Sequence, residues 1–309
     1  MDLSIVIVSW NAKKFLMDCL SSIYAKTDKV KAEIIVVDNL STDGSQQAVK
    51  RFFPAVKLIE NNSNLGFAKA NNIGIRNSLG KYICLINSDV IVLEKCLEDM
   101  IAFMEAQPSI GVLGPKVLNQ DMTLQRTCRR FPTIVSSFLS ALGFERVFRG
   151  LTFFPHDKTR DVDVLSGCFM IVRRKALSQV GLLDERFFFY AEDKDWCKRF
   201  RDAGWRNVFY PNAKAIHFGG SSSANAPIKF YIEMQKANIQ YWRKHHGRAA
   251  QFTYLFIVFL HQIIRVIRGA AVFILKPSER NTSAQKIKRS ISCLKWLFSF
   301  NAELRLSAI

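Results

Sequence analysis

The chain is 309 residues long, enough for one large or two modest domains around a real core. With 49% apolar and 23% charged residues, its composition excludes a disordered chain. A formal net charge of +18 implies an anionic partner, whether nucleic acid, an acidic membrane surface or a phosphorylated substrate.

The charge is unevenly spread. From Pro227 onward 14 Lys and Arg stand against 3 Asp and Glu; before it 30 stand against 23. The seven cysteines (19, 84, 96, 128, 168, 197 and 293) are scattered, odd in number and without a C-x-x-C pair. That argues against a disulfide framework or a zinc site and for a reducing compartment. Met1-Asp2-Leu3-Ser4 runs directly into a strand pattern, with no basic and apolar leader, so the expected location is the cytoplasm.

Residues 3–9 read as a β-branched strand, followed by helical spacing at Phe15, Leu16, Cys19, Leu20 and Ile23. A second buried strand at 33–37 ends in the polar loop Asp38 to Gly44, whose Ser, Thr and Asp suit the start of a helix reaching Phe53, with Pro54 closing it. Val56 to Ile59 reads as a third strand. Asn64-Leu65-Gly66-Phe67 opens a helix through Asn77, and Gly80 stops it. The apolar run Ile83 to Ile86 is a fourth strand, ending in Asn87-Ser88-Asp89. Four strands alternating with three helices predict a parallel sheet with right-handed crossovers. Ligands of such sheets gather past the carboxyl ends of the strands, where Asp89 stands. Ser9-Trp10-Asn11-Ala12 follows strand one, so neither a dinucleotide fingerprint nor a P-loop is present.

Leu93 to Met104 is expected to be helical, and 111–115 a short strand and turn. Residues 119–161, with Arg126, Arg129 and Arg130, show no period and read as a surface excursion over the sheet. A buried strand is expected over 162–172, with Gly167 marking a bulge or a close backbone approach. The stretch 187–196 starts a helix carrying Glu192, Asp193 and Asp195 in its first turn, where carboxylates suit the helix dipole. Val208–Tyr210 and Ala213–His217 read as short strands, leading into a flexible Gly/Ser loop at 218–223. A helix over 227–246 and a very apolar segment over 252–275 follow. Arg265 and Arg268 interrupt that segment, which leaves three readings: a helix lying in a membrane interface, a packed core or homodimer helix, or a span. A last basic helix over 285–298 suits an anionic bilayer surface. The composition shift divides the chain into an α/β domain, 1–226, and a basic amphipathic helical extension, 227–309.

In order, these pieces resemble the inverting glycosyltransferases of family 2, in their bacterial rhamnosyltransferase-like branch. The resemblance rests on Val6 to Asn11; Val36-Val37-Asp38-Asn39 with Ser41 and Asp43-Gly44; Asn64 to Phe67 with Asn71, Asn72 and Gly74; and Asn87-Ser88-Asp89. It continues through Ser166-Gly167, Glu192 to Asp195, and His217 with Gly219, Gly220 and Ser221. It implies a GT-A fold with a mainly parallel central sheet and a nucleotide-sugar donor. dTDP-rhamnose is favoured and UDP-hexoses come next.

Ser9, Asp38, Asn64, Gly66, Asn87, Asp89 and Gly167 are the implied donor-binding positions, with Asp38 receiving the nucleobase. Asp89 and His217 are the implied ligands of Mg2+ or Mn2+, and Asp193 the base that deprotonates the acceptor hydroxyl. Two positions depart from the family pattern. Asn87 replaces the first carboxylate of the D-x-D motif, and Asn71 stands where many members carry a basic residue. The resemblance and the basic tail together imply a polyprenyl-diphosphate-linked saccharide acceptor and a peripheral position on the inner face of the plasma membrane. The basic residues lie beside aliphatic runs rather than exposed stacking aromatics, which argues against nucleic acid. A non-catalytic scaffold is the alternative to an enzyme, and the intact Asp89 and Asp193 favour the enzyme.

Overall fold

The computed structural model describes residues 1–27, 29–144, 147, 149–219 and 226–306. Gly220 and Ser221, with the rest of the Gly/Ser loop to 223, lie outside the described residues. The chain forms two compact units, residues 1–131 with 153–225, and residues 132–152 with 226–309.

The first unit opens with the alternation expected from sequence: β1 (Leu3–Ser9), α1 (Lys13–Lys26), β2 (Ala32–Asp38), α2 (Ser45–Phe52), β3 (Lys57–Glu60), α3 (Gly66–Arg76) and β4 (Tyr82–Asn87). These strands pair in parallel in the order β3-β2-β1-β4, with Ser9 opposite Asp38 at the ends of β1 and β2. Successive residues of a strand face opposite sides of the sheet. Leu3, Ile5 and Ile7 accordingly pack with Leu16 and Leu20 of α1, whereas Val6 packs with Ala68 and Ile75 of α3. Both faces are apolar, which is why these strands read as unbroken hydrophobic runs.

Beyond β4 the sheet changes character. It adds β5 (Val90–Val92), β6 (Ile110–Leu118), β8 (Arg160–Asp161), β10 (Phe169–Arg173) and β11 (Arg206–His217), giving nine strands among the described residues. β10 lies between β4 and β6 and is antiparallel to both, while β6 and β11 are parallel. The short strands β7 (Cys128–Arg129) and β9 (Val164–Leu165) form a separate antiparallel ribbon.

Several boundaries differ from the expected ones. Residues 90–92 are a strand on β11, so the next helix, α4 (Cys96–Ala106), begins later than Leu93. The run 162–172 is broken at Ser166–Cys168 into β9 and β10, because the chain leaves the ribbon there and enters the main sheet. The two strands expected at 208–210 and 213–217 are one, with a register shift between Tyr210 and Lys214. Helix α6 (Arg174–Val180) follows β10, and α7 (Glu192–Asp202) starts only after Tyr190 and Ala191, both with positive φ (72° and 63°). Trp196 and Phe200 of α7 are buried on the α3 face.

The second unit is helical: α5 (Ile134–Ala141), α8 (Pro227–Leu275) and α9 (Arg280–Leu306). Part of the segment expected to lie over the sheet thus belongs with the C-terminal helices. His261 Nδ1 lies 3.0 Å from the Ala141 carbonyl, and Arg268 Nη2 donates to the Leu142 carbonyl at 3.0 Å. α8 bends at Gly247, whose φ of 82° and ψ of −178° separate the two predicted helices. Ile239, Leu255, Val258, Cys293 and Leu297 form the buried seam between α8 and α9. The other side of the same helices is exposed, including Phe252, Phe256, Ile267, Ile274 and Phe298. By length and composition α8 is apolar enough to cross a membrane.

Candidate active site

The carboxyl ends of β1, β2 and β4 and the start of α7 bring the expected residues together in the first unit. At one corner, Asp38 is buried beneath the β2–α2 loop. Its Oδ1 accepts from the Ser41 amide (2.8 Å) and the Gln46 side chain (2.6 Å). Its Oδ2 is buried with no hydrogen-bond partner, and so is Ser9 Oγ on the neighbouring strand. Buried polar atoms are rarely left unpaired. An acceptor and a hydroxyl orphaned side by side at two strand ends make a recess able to pair with the N–H of a ligand. Asn11 Oδ1 accepts from the Thr42 amide at 2.7 Å and ties the rims of this recess together.

Asn39, next in the chain, extends the recess toward α3. Its Nδ2 donates to the Gly66 carbonyl at 3.1 Å, while Asn64 Oδ1 accepts from the Gly66 amide at 3.0 Å. Gly66 has φ +77°, and a Cβ there would lie 2.4 Å from the Phe188 carbonyl oxygen, so only glycine fits. The Phe67 amide donates to that same carbonyl at 2.8 Å, which locks α3 to the loop before Asp193. Asn71 is turned away, donating to the Phe67 carbonyl of its own helix at 2.9 Å.

The second corner holds Asn87, Asp89 and His217. β11 pairs with β5 so that His217 stands opposite Val90, which brings together side chains 128 positions apart. His217 Nε2 lies 3.1 Å from Asp89 Oδ1 and 3.3 Å from Asn87 Nδ2. Asp89 Oδ2 accepts from the Gly219 amide at 3.1 Å. Gln125, which sequence reasoning missed, fixes the tautomer. Its Nε2 donates to Asn119 Oδ1 (3.0 Å) and the His217 carbonyl (3.3 Å), so its Oε1 faces His217 Nδ1 at 2.7 Å and must accept from it. With Nδ1 donating to Gln125, the other ring nitrogen, Nε2, faces the Asp89 carboxylate. At 3.1 Å the two are satisfied either by a proton on Nε2 or by a cation that both ligate. Among the described residues no set of three or more His, Cys, Asp or Glu side chains could hold an ion alone. One carboxylate and one imidazole therefore suit a divalent cation whose other ligands come from a bound ligand's oxygens and water.

The third corner is Asp193. Its Oδ1 accepts from the Lys194 amide at 2.7 Å, and its Oδ2 from the Gly167 amide at 3.2 Å and Arg129 Nη2 at 2.6 Å. Arg129, on the β7–β9 ribbon, is the second residue that sequence reading left out of the site. The two other carboxylates of the α7 first turn have separate fates. Asp195 is fully buried and ion-paired to Arg199 at 2.9 Å, a structural clamp. Glu192 is buried with Oε2 unpartnered. Burial, reinforced by the Asp193 charge, raises the Glu192 carboxyl to about 8.

This shift has a stability consequence. A carboxyl with a raised folded-state pKa favours folding fully below its ordinary value, and that contribution is lost as pH rises toward 8. Glu192→Gln is expected to leave the melting temperature unchanged near about pH 4 and to raise it near about pH 9. Equal shifts at both pH values in thermal melts would refute the assignment.

An orphaned carboxylate oxygen, an Asp–His pair able to share a cation and a hydrogen-bonded carboxylate at a helix start are the parts of a candidate group-transfer site on an α/β sheet. Residues 4–181 match Glycosyl transferase family 2, and the chain belongs to that family. It is 28% identical over 265 residues to the N-acetylglucosaminyl-diphospho-decaprenol L-rhamnosyltransferase of Mycobacterium tuberculosis, covering 79% of this chain and 85% of that one. It is 24% identical over 204 residues to the low-salt glycan biosynthesis hexosyltransferase Agl10 of Haloferax volcanii, covering 65% and 62%. The mannosyltransferase PcManGT from Pyrobaculum calidifontis, solved with GDP-Man and Mn2+, superposes with a TM-score of 0.58 at 16% identity, covering 96% of this chain and 86% of that one. GalNAc-T7, solved with UDP, GalNAc and Mn2+, gives 0.55 at 18% identity over 71% of this chain and 44% of that one. The fold is that of the GT-A glycosyltransferases.

Proposed function

We propose that this glycosyltransferase moves a sugar, with inversion, from a nucleotide-diphosphate donor to a polyprenyl-diphosphate-linked saccharide in cell-surface polysaccharide synthesis. dTDP-rhamnose is the favoured donor and UDP-hexoses are next. The name of the mycobacterial relative supports both the rhamnosyl donor and the lipid-linked acceptor. The single observation that carries the reading is the link between the buried Asp193, held by the Gly167 amide, and the Asp89–His217 corner, where the Asn87 amide donates to the adjacent Cys168 carbonyl at 2.9 Å.

In this reading the unpaired Asp38 Oδ2 accepts from the imide N–H of a uracil or thymine, with Ser9 Oγ beside it. Asn64 and Gly66 shape the wall next to it. Asp89 and His217 hold Mg2+ or Mn2+, which supplies charge neutralisation at the leaving diphosphate. Asn87 adds no second carboxylate, and its Nδ2, 3.3 Å from His217 Nε2, would give up that contact when the nitrogen ligates the ion. Asp193 takes the proton of the attacking hydroxyl, and the Gly167 amide orients its carboxylate. The hydroxyl reaches the base by displacing one of the hydrogen bonds that Oδ2 now accepts. A single displacement with one base inverts the anomeric centre and needs no covalent nucleophile.

The test is a panel of nucleotide-sugars incubated with the full chain and Mn2+. dTDP-rhamnose is expected to be hydrolysed slowly alone and consumed rapidly with a prenyl-diphosphate-linked acceptor. No binding and no turnover of any donor would defeat the reading and favour a scaffold.

The same reading places the protein peripherally on the inner face of the plasma membrane, through the exposed apolar side of α8. Phe252, Phe256 and Ile267 are 59%, 63% and 64% exposed, so replacing them should not disturb folding. Burying each such side chain is worth about 1.5–3 kcal/mol. Changing all three to Ser is expected to weaken partition onto phosphatidylglycerol vesicles by about 100-fold or more. Unchanged co-sedimentation with vesicles would contradict it.

A further inference from the structure

Residues 125–129 supply one group to each of two corners of the site. Gln125 holds the His217 imidazole through Nδ1 at 2.7 Å, and Arg129 Nη2 meets Asp193 Oδ2 at 2.6 Å. The backbone between them has little sheet to hold it, because each strand of the β7–β9 ribbon is two residues long. The Thr127 and Cys128 carbonyls are taken by the Ser166 and Phe154 amides at 3.0 and 3.3 Å. The amides of the same two residues both donate to a single atom, His156 Nε2, each at 3.1 Å. The imidazole itself packs edge-on against Phe209 of β11, the strand that ends in His217, with ring centroids 5.0 Å apart.

Thr127, Cys128 and His156 are all buried. A buried amide that loses its acceptor bears the full desolvation cost of the group. A neutral imidazole has one acceptor nitrogen, so both amides depend on one lone pair and the ring proton sits on Nδ1. The surroundings keep the ring neutral. Burial pushes the proton affinity of His156 down, and Arg126, Lys116 and Arg160 add to the effect, while a hydrogen bond with the Phe154 backbone works against it.

We propose that His156 is a positioning residue: its Nε2 sets the backbone of 125–129, from which Gln125 reaches His217 and Arg129 reaches Asp193. It touches neither the ion nor the reacting atoms. The inference rests on the reading of Asp89 and His217 as the ligands of the metal. An apolar ring in its place leaves the Thr127 and Cys128 amides without an acceptor, and the segment must shift toward water to satisfy them. Gln125 and Arg129 then lose their register together. Glutamine is the conservative replacement, because its amide oxygen can stand where Nε2 stands and accept both bonds. Asparagine, one carbon shorter, reaches only the place of Nδ1.

The experiment compares the full-length chain with His156→Gln and His156→Phe, each with and without Gln125→Leu. Two quantities are read: the Mn2+ concentration for half-maximal sugar transfer, and hydrogen exchange over 125–129, which involves no turnover. His156→Phe is expected to raise the metal requirement about ten-fold, as Gln125→Leu does, and His156→Gln to stay within about twofold of the unmodified chain. In the Gln125→Leu background His156→Phe is expected to add less than about twofold, because the side chain it positions is gone. Exchange over 125–129 should rise about ten-fold or more in His156→Phe and be restored in His156→Gln. A merely structural role raises the metal requirement equally in both backgrounds, and that result overturns the proposal. So does exchange or a metal requirement that folded His156→Phe leaves unchanged. If His156→Phe fails to fold, His156→Asn takes its place. If the unmodified chain transfers no sugar, the transferase reading is what fails, and exchange alone then decides whether His156 anchors the segment.

Discussion

Asp193→Asn is expected to reduce sugar transfer about 10²–10⁴-fold, the range over which a positioned general base acts. Donor affinity should stay within about twofold, since the Asp38 recess and the Asp89–His217 pair lie on other elements. The substitution keeps the shape of the side chain but leaves an oxygen for only one of the Lys194 and Gly167 amides, which donate to Oδ1 at 2.7 Å and to Oδ2 at 3.2 Å. It also removes the charge that Arg129 meets. The Asp193 side chain is 11% exposed and that of Arg129 38%, and one buried amide loses its acceptor, so the stability loss should be about 1–3 kcal/mol. A thermal melt beside the kinetic assay separates the two effects. Activity near that of the unmodified chain would mean that another group accepts the proton, and Glu192, with its unpartnered Oε2, would be the next candidate.

Replacing His217 with Ala should raise the Mn2+ concentration needed for half-maximal activity by about 100-fold, with little effect on maximal rate at saturating metal. The reason is the shortage of protein ligands: with Asn at position 87, His217 and Asp89 are the two side chains able to share the ion. Gln125→Leu tests the geometry more finely. It leaves both ligands in place but removes the acceptor 2.7 Å from His217 Nδ1, so the imidazole is free to change tautomer. A rise of about ten-fold in the metal requirement is expected. A metal titration that neither variant moves would remove His217 from the site.

Much of this arrangement was legible in the sequence because it depends on short-range patterns. Strands buried on both faces announce themselves as runs such as Ile34 to Val37 and Ile83 to Ile86, and polar residues that end those runs mark the ligand side of the sheet. The antiparallel insertion of β10 was not legible. Phe169 to Arg173 is as apolar as a parallel strand, and nothing local reports which neighbour it will join. Arg129 and Gln125 were missed for a related reason. Each lies in a stretch without periodicity, and each gains its meaning only from a partner 64 or 92 positions away. The boundary at α7 was misplaced because Tyr190 and Ala191 are ordinary helix or strand residues by propensity, yet the fold holds both in the left-handed region.

That left-handed pair has a consequence for how the protein can change. Each residue with a side chain in this conformation costs about 1–3 kcal/mol, and here two in succession set the first turn of the helix that presents Asp193. The loop is therefore the place where stability and turnover pull in opposite directions. Substitutions that relax it, such as glycine at 191, will be recovered readily in any selection for heat resistance. They will also loosen the base, so thermally hardened descendants of this chain should be sluggish ones.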